Sequence, residues 1–220
     1  MTNKESAPTS ELIGYPPEHG LYDPRSEKDS CGVGFVANIK GVPSHGILED
    51  AYHINSRMDH RGGCGFEENT GDGAGILTAL PDSFFQKIAT SLDLKLPDTG
   101  QYAVGNIFLP QLDDERKTRK ATIESIISKE GLQFLAWRTV PINPASADIG
   151  PAAITAMPVI EQLFIANNGV DQDTFERMLY TTRKRFTNAL RGNPELSQSR
   201  LLYACSLSSR VIVYLSLIHI

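Results

Sequence analysis

The chain has 220 residues, is 40% hydrophobic and 21% charged, and carries a net charge of −5. That is enough apolar sequence for a core of ordinary domain size, and the acidic balance excludes a nucleic-acid surface built on excess positive charge. Its three cysteines, Cys31, Cys64 and Cys205, are far apart and make no Cys-x-x-Cys pair, which argues against a zinc or iron–sulfur site within this segment and for a reduced compartment.

Residues 1–30 are rich in Ser, Thr, Pro and Gly, lack periodicity and are expected to form an extended arm. They have no apolar stretch of the secretory kind, and Glu5, Glu11, Glu18, Asp23, Glu27 and Asp29 are out of keeping with an organellar transit peptide. A removable leader remains open, and the expected location is the cytoplasm. No run reaches the roughly 20 apolar residues of a membrane span, so no membrane partner is expected, and no nucleic acid.

From Gly32 the signals alternate. Residues 32–39 (Gly-Val-Gly-Phe-Val-Ala-Asn-Ile) predict a buried strand, closed by Gly41-Val42-Pro43. Ile47, Leu48, Ala51, Ile54 and Met58 recur at helical spacing, so residues 45–58 predict an amphipathic helix with Glu49, Asp50 and Arg57 toward water. Two glycine-rich stretches, Arg61-Gly62-Gly63-Cys64-Gly65 and Thr70-Gly71-Asp72-Gly73-Ala74-Gly75, run into a short strand at 76–80. Pro81 and Asp82 open a helix holding Phe84, Phe85, Ile88 and Leu92. Strands are predicted at 102–109, 133–140 and 158–165, and helices at 112–129 and 171–190. Asp171 is the cap of the last, and Phe175, Met178, Leu179 and Phe186 are its inward face. Strands at 201–207 and 210–214 flank Ser208-Ser209 as a hairpin. The mixture lacks a regular βαβ rhythm and implies an α+β layered fold. Residues 215–220 (Leu-Ser-Leu-Ile-His-Ile) break the pattern and are expected to be a scar appended after Tyr214.

The Gly71-x-Gly73-x-Gly75 run is no dinucleotide cradle, because it enters a strand where that cradle needs a helix start. Close backbone packing is its expected use. Cys31 has two readings. It is a buried cysteine serving as a small apolar residue, or it is a nucleophile released by cleavage after Ser30. In the second case its own α-amine, titrating near roughly 8, supplies the general base. With the peptide bond intact the amine is an amide and that base is lost.

Three segments in order, Cys31-Gly32-Val33-Gly34-Phe35-Val36-Ala37, Asp59-His60-Arg61-Gly62-Gly63 and Thr70-Gly71-Asp72-Gly73-Ala74-Gly75-Ile76, resemble the start of the large subunit of glutamate synthases, a class II glutamine amidotransferase domain. Cys205-Ser-Leu-Ser-Ser-Arg-Val-Ile-Val-Tyr214 resembles it too, and Gly20-Leu21-Tyr22-Asp23-Pro24 resembles the family's short propeptide. The resemblance implies a four-layer αββα N-terminal-nucleophile hydrolase fold, incomplete at the C-terminus, with residues 1–30 as propeptide and 31–214 as a partial amidotransferase domain. It implies Cys31 as the catalytic nucleophile on glutamine, forming a thioester and releasing ammonia. It also implies Arg61 and Gly62 as residues that position the cysteine amine or the substrate; a structural arginine and a turn glycine are the alternative.

His60 and Asp72 are expected to be structural, and Cys64 has no support for catalysis. The resemblance further implies a synthase domain of the same polypeptide making glutamate from 2-oxoglutarate. That domain would use FMN and an iron–sulfur cluster, with a small NAD(P)H-dependent subunit or ferredoxin as electron donor; no cofactor is expected in this segment. The family's substrate-binding arginine and the asparagine–glycine pair of its oxyanion hole lie beyond Tyr214, so these 220 residues alone are expected to be inactive and poorly soluble. A different N-terminal-nucleophile amidase, or a non-catalytic domain with Cys31 internal, are the competing readings.

Overall fold

A run of mainly apolar residues too continuous to alternate marks a strand covered on both faces, and residues 102–109 (Tyr-Ala-Val-Gly-Asn-Ile-Phe-Leu) form such a strand inside a four-stranded sheet. In the computed structural model, residues 19–20, 32–58, 64–67, 70–71, 73–144, 149–191 and 202–216 are described. Residues 1–33 and 34–220 are separate compact units, and every regular element of the described residues lies in the second. In order these are α1 (His45–Ser56), β1 (Cys64–Glu67), β2 (Thr70–Gly71), β3 (Ala74–Ala79), α2 (Asp82–Ser91), β4 (Tyr102–Leu109), α3 (Asp113–Lys129), β5 (Gln133–Thr139), α4 (Pro151–Ala156), β6 (Val159–Ala166), α5 (Gln172–Leu190), β7 (Tyr203–Ala204) and β8 (Val211–Ser216).

A four-stranded sheet of order β5-β6-β4-β7 is antiparallel throughout, with Asn106 opposite Gln162 and Gln162 opposite Arg138. One face carries Ala103, Ile107, Leu109, Leu163 and Ile165 against Ile123 and Ile127 of α3 and Phe175, Leu179, Phe186 and Leu190 of α5. The other face carries Tyr102, Val104 and Phe164 against Phe85 and Ala89 of α2 and Ile212 of β8. Phe85 and Phe164 meet edge to face at 5.6 Å between ring centroids, the geometry the ring quadrupole favours. β8 pairs with β3 in a second sheet, from Ala74 opposite Ser216 to Ala79 opposite Val211, and α1 packs on β3.

The helices follow local chemistry. Asp171 caps α5, its carboxylate accepting from the Thr174 N–H at 3.0 Å; hydrogen bonds from the Thr174 side chain and backbone, with the Arg177 charge, hold its pKa below the usual range. The charged helix α3 is pinned to the sheet where Lys120 Nζ donates to Glu161 at 2.6 Å and Trp137 Nε1 to Glu124 at 2.7 Å. The predicted inward face of α5 is observed, with Phe175, Leu179 and Phe186 fully buried and Met178 packed at the edge of the core.

Two expectations are corrected. Residues 32–38 are not a buried strand: Val33 and Phe35 are each 89% exposed, and among the described residues no ladder partner pairs with them. β-propensity reports how a side chain suits a pleated surface, and without a neighbouring strand it makes no sheet. The late hairpin is also absent, because β7 joins β4 in one sheet while β8 joins β3 in the other. Ser208-Ser209 is therefore a crossing between sheets. The sequence reading also missed the β1–β2 ribbon, whose glycines mask strand character, and α4, begun by Pro151 at its first turn. Leu215 and Ser216, expected to lie in an appended scar, continue β8 opposite Gly75 and Ala74.

Phe164 sits on the central face of β6 with no exposure. Phe164→Ala is expected to cost about 3–5 kcal/mol of unfolding free energy, read from the urea midpoint at unchanged slope.

Candidate active site

The residues that the sequence singles out for chemistry, Cys31, Arg61 and Gly62, lie outside the described residues, as do Asp59, His60 and Asp72. The frame that flanks them in the chain is described. Beyond Cys31, Gly34 lies against α1 so closely that a Cβ would collide with Ile54 and come within 3.0 Å of the Met58 terminal methyl. Beyond Arg61 and Gly62 the chain enters the β1–β2 ribbon, where Cys64 opposes Gly71 and Glu67 opposes Thr70. The next strand, β3, holds Gly75 where a Cβ would stand 2.5 Å from Leu215 Cδ2 and 3.0 Å from the Tyr214 carbonyl oxygen. The expected close packing is thus found at Gly75, and the run leads into β3 rather than a helix.

β8 is fixed from its other side by a side chain of the first sheet and one of the link that follows β7. The Val213 carbonyl accepts from Asn106 Nδ2 at 2.7 Å, and the Val213 N–H donates to Ser206 Oγ at 3.1 Å. The crossing that precedes β8 is organised by Glu176 of α5. One of its carboxylate oxygens accepts from the Ser209 N–H and Ser209 Oγ, both at 2.6 Å, and the other from Ser208 Oγ at 2.9 Å. Ser208 Oγ in turn accepts from the Arg210 N–H at 3.0 Å and the Val211 N–H at 3.2 Å. Near the end of β8, burial raises the Tyr214 phenol above its ordinary pKa, and the Arg138 guanidinium partly opposes that shift. Arg138 itself donates to Gln162 Oε1 at 2.7 Å.

These framing residues escaped the sequence reading. Asn106 did leave a signal: a lone amide in an otherwise apolar strand must find a partner inside. Nothing near Glu176 or Glu67 in the sequence announces a long-range role, since both resemble ordinary solvated carboxylates.

Cys205 is half-buried, and burial pushes its thiol up to about 11, so at neutral pH it is protonated and a poor nucleophile. The side chain of Cys64 lies outside the described residues. Among the described residues no three His, Cys, Asp or Glu side chains converge as a metal site, and no helix is long and apolar enough to cross a membrane.

The family model of class-II glutamine amidotransferases matches residues 31–220, beginning at Cys31. The chain belongs to that family and is an amidotransferase domain. Its relatives are glutamate synthases, whose large chains it matches in their N-terminal domain. It is 39% identical over 205 residues to the glutamate synthase [NADPH] large chain of Bacillus subtilis (strain 168), covering 92% of this chain and 13% of that one. It is 43% identical over 195 residues to ferredoxin-dependent glutamate synthase 1, chloroplastic/mitochondrial, of Arabidopsis thaliana, covering 88% and 12%. With the glutamate synthase [NADH] of Schizosaccharomyces pombe (strain 972 / ATCC 24843) the identity is 39% over 206 residues, covering 90% and 9%. The chain therefore spans at most 13% of the length of these relatives.

The raised thiol pKa of Cys205 makes a simple prediction. In the folded protein at pH ~8.5, where an unperturbed thiol is half ionised, iodoacetamide should modify Cys205 at least about tenfold more slowly than in urea. Because only the unfolded state ionises readily between that pH and about 11, raising pH across this window should lower stability through this group.

Proposed function

We propose that these residues form the glutamine-hydrolysing part of a glutamate synthase, with Cys31 as nucleophile. The observation that carries the reading is that the family match begins at Cys31, the residue the sequence marks as a nucleophile behind a removable leader. The element contacts support a four-layer αββα arrangement: α3 and α5, the four-stranded sheet, the β3–β8 sheet, then α1 on β3.

On this reading residues 1–30 are removed and Cys31 gains a free α-amine. The amine takes the thiol proton as sulfur attacks the glutamine side-chain amide carbon. Collapse of the tetrahedral intermediate expels ammonia, which carries that proton away and leaves a glutamyl thioester. Water, deprotonated by the same amine, then releases glutamate and restores the thiol. Arg61 and Gly62 position the cysteine amine or the substrate. The ammonia passes to a synthase domain of the same polypeptide that uses 2-oxoglutarate, fed with electrons by a small NAD(P)H-dependent subunit or by ferredoxin. FMN and an iron–sulfur cluster belong to that domain; no donor set among the described residues fits a cluster, and the glycine run enters a strand where a phosphate cradle needs a helix. The cytoplasm is the proposed location, although some relatives are named as chloroplastic.

The test is Cys31→Ala in the complete polypeptide. Glutamine-dependent glutamate formation should fall by at least about a thousandfold, as loss of a covalent nucleophile does, while ammonium salts still support it. Retention of glutamine use would reject Cys31 as nucleophile. The 220 residues assayed alone, lacking the arginine and the asparagine–glycine pair that the resemblance places beyond Tyr214, should release no glutamate from glutamine.

A further inference from the structure

The glycine-rich ribbon is tied to the rest of the second unit by a contact that no sequence motif announces. The Glu67 carboxylate accepts from the Ala152 N–H at 2.8 Å and the Ala153 N–H at 3.4 Å, in the first turn of α4. These amides have no partner within the helix, and the carboxylate also meets the positive end of the helix dipole. The opposite end of α4 is held as well. Gln111 Nε2 donates to the Met157 carbonyl at 2.6 Å and to the Thr155 carbonyl at 3.2 Å. Gln111 sits at the corner between β4 and α3, where its own carbonyl accepts from Arg116 Nη1 at 2.8 Å. Hydrogen bonds thus link Gln111, two residues beyond the end of β4, through α4 to Glu67. β1, which contains Glu67, starts at Cys64, just after Arg61-Gly62-Gly63.

We propose that Gln111, α4 and Glu67 form a strut that holds the ribbon in place, and that Glu67 is a positioning residue for glutamine hydrolysis that acts through the ribbon. The role in catalysis rests on the amidotransferase reading; the mechanical coupling does not. Gly150 completes the device. Its backbone is extended, with φ −65° and ψ 154°, open to any residue, yet a Cβ there would collide with the Glu67 carboxylate. A side chain at this position would displace the Glu67 carboxylate from its present place beside Ala152, and the backbone itself is not strained.

Amide hydrogen exchange on the full chain tests the coupling. Glu67→Ala, Gly150→Ala and Gln111→Ala should each speed exchange in the 64–71 peptide by about tenfold, with β4 and β6 unchanged as the control for folding. Glu67→Gln, which keeps one carbonyl acceptor for the Ala152 N–H, should recover most of the protection. Adding Gly150→Ala to Glu67→Ala should accelerate exchange no further, because the added methyl then meets no carboxylate. Wild-type exchange of the ribbon in Gln111→Ala, or effects of Glu67→Ala and Gly150→Ala that multiply, would overturn the strut.

In the complete polypeptide, Glu67→Ala should lower kcat/KM for glutamine by about tenfold and leave ammonium-supported synthesis alone, with Glu67→Gln closer to wild type. Faster ribbon exchange with unchanged glutamine kinetics would reject the positioning role. A complete polypeptide with no glutamine hydrolysis at all would instead reject the amidotransferase reading, and the exchange data would still decide the strut.

Discussion

The peptide groups of Val213 are the constraint on which the arrangement of the two sheets depends. Opposite Leu77, β8 presents its backbone to β3 on one side only, and a polar backbone group left bare inside the protein costs about 1–3 kcal/mol. The structure meets this cost with two side chains: Asn106 of β4 supplies a donor and Ser206, in the link between β7 and β8, an acceptor. Both groups come from positions adjacent to apolar core residues, so shifting β8 by one residue would separate each from its partner and turn Ile212 out of the core. Register between the sheets is thus set by hydrogen bonds, and hydrophobic contact then fills the space around them.

That arrangement leaves some polar groups poorly served. Among the described residues Asn106 Oδ1 and Gln162 Nε2 are buried without partners, although the two residues oppose each other across β4 and β6. Nε and Nη1 of Arg119, fully buried in α3, are in the same position, with only Nη2 reaching Glu115 at 3.3 Å. Each is a local cost accepted within a core whose apolar contacts are extensive. The crossing at Ser208-Ser209 shows the opposite case, with Glu176 and Ser208 Oγ serving five hydrogen bonds between them. A chain that changes sheets must satisfy its backbone where no ladder is available, and here Ser208 Oγ takes the Arg210 and Val211 N–H groups and the Glu176 carboxylate takes that of Ser209.

Much of this fold was legible in the sequence where a single element decides its own state. β4 was legible at 102–109 as an apolar run interrupted only by Gly105 and Asn106, and α5 as a periodic face behind an Asp171 cap. Failures came where the state depends on something distant. Residues 32–39 have the composition of a strand, but composition cannot supply a partner strand. Ser208-Ser209 looks like a hairpin turn because the sequence does not say that β7 and β8 belong to different sheets. Of the site, the glycine packing at Gly75 was foreseen, whereas the Glu67, Asn106 and Glu176 contacts span 32 to 107 residues of chain and have no local signature.

The family match begins at Cys31, and the proposed chemistry stands or falls there. Peptide mapping of the complete protein, acid-quenched during turnover of glutamine, tests it most directly. The account predicts a mature N-terminal peptide that begins at Cys31 and carries a glutamyl thioester on that residue. A leader still joined to an unmodified Cys31, or an acyl group found instead on Cys64 or Cys205, would contradict it.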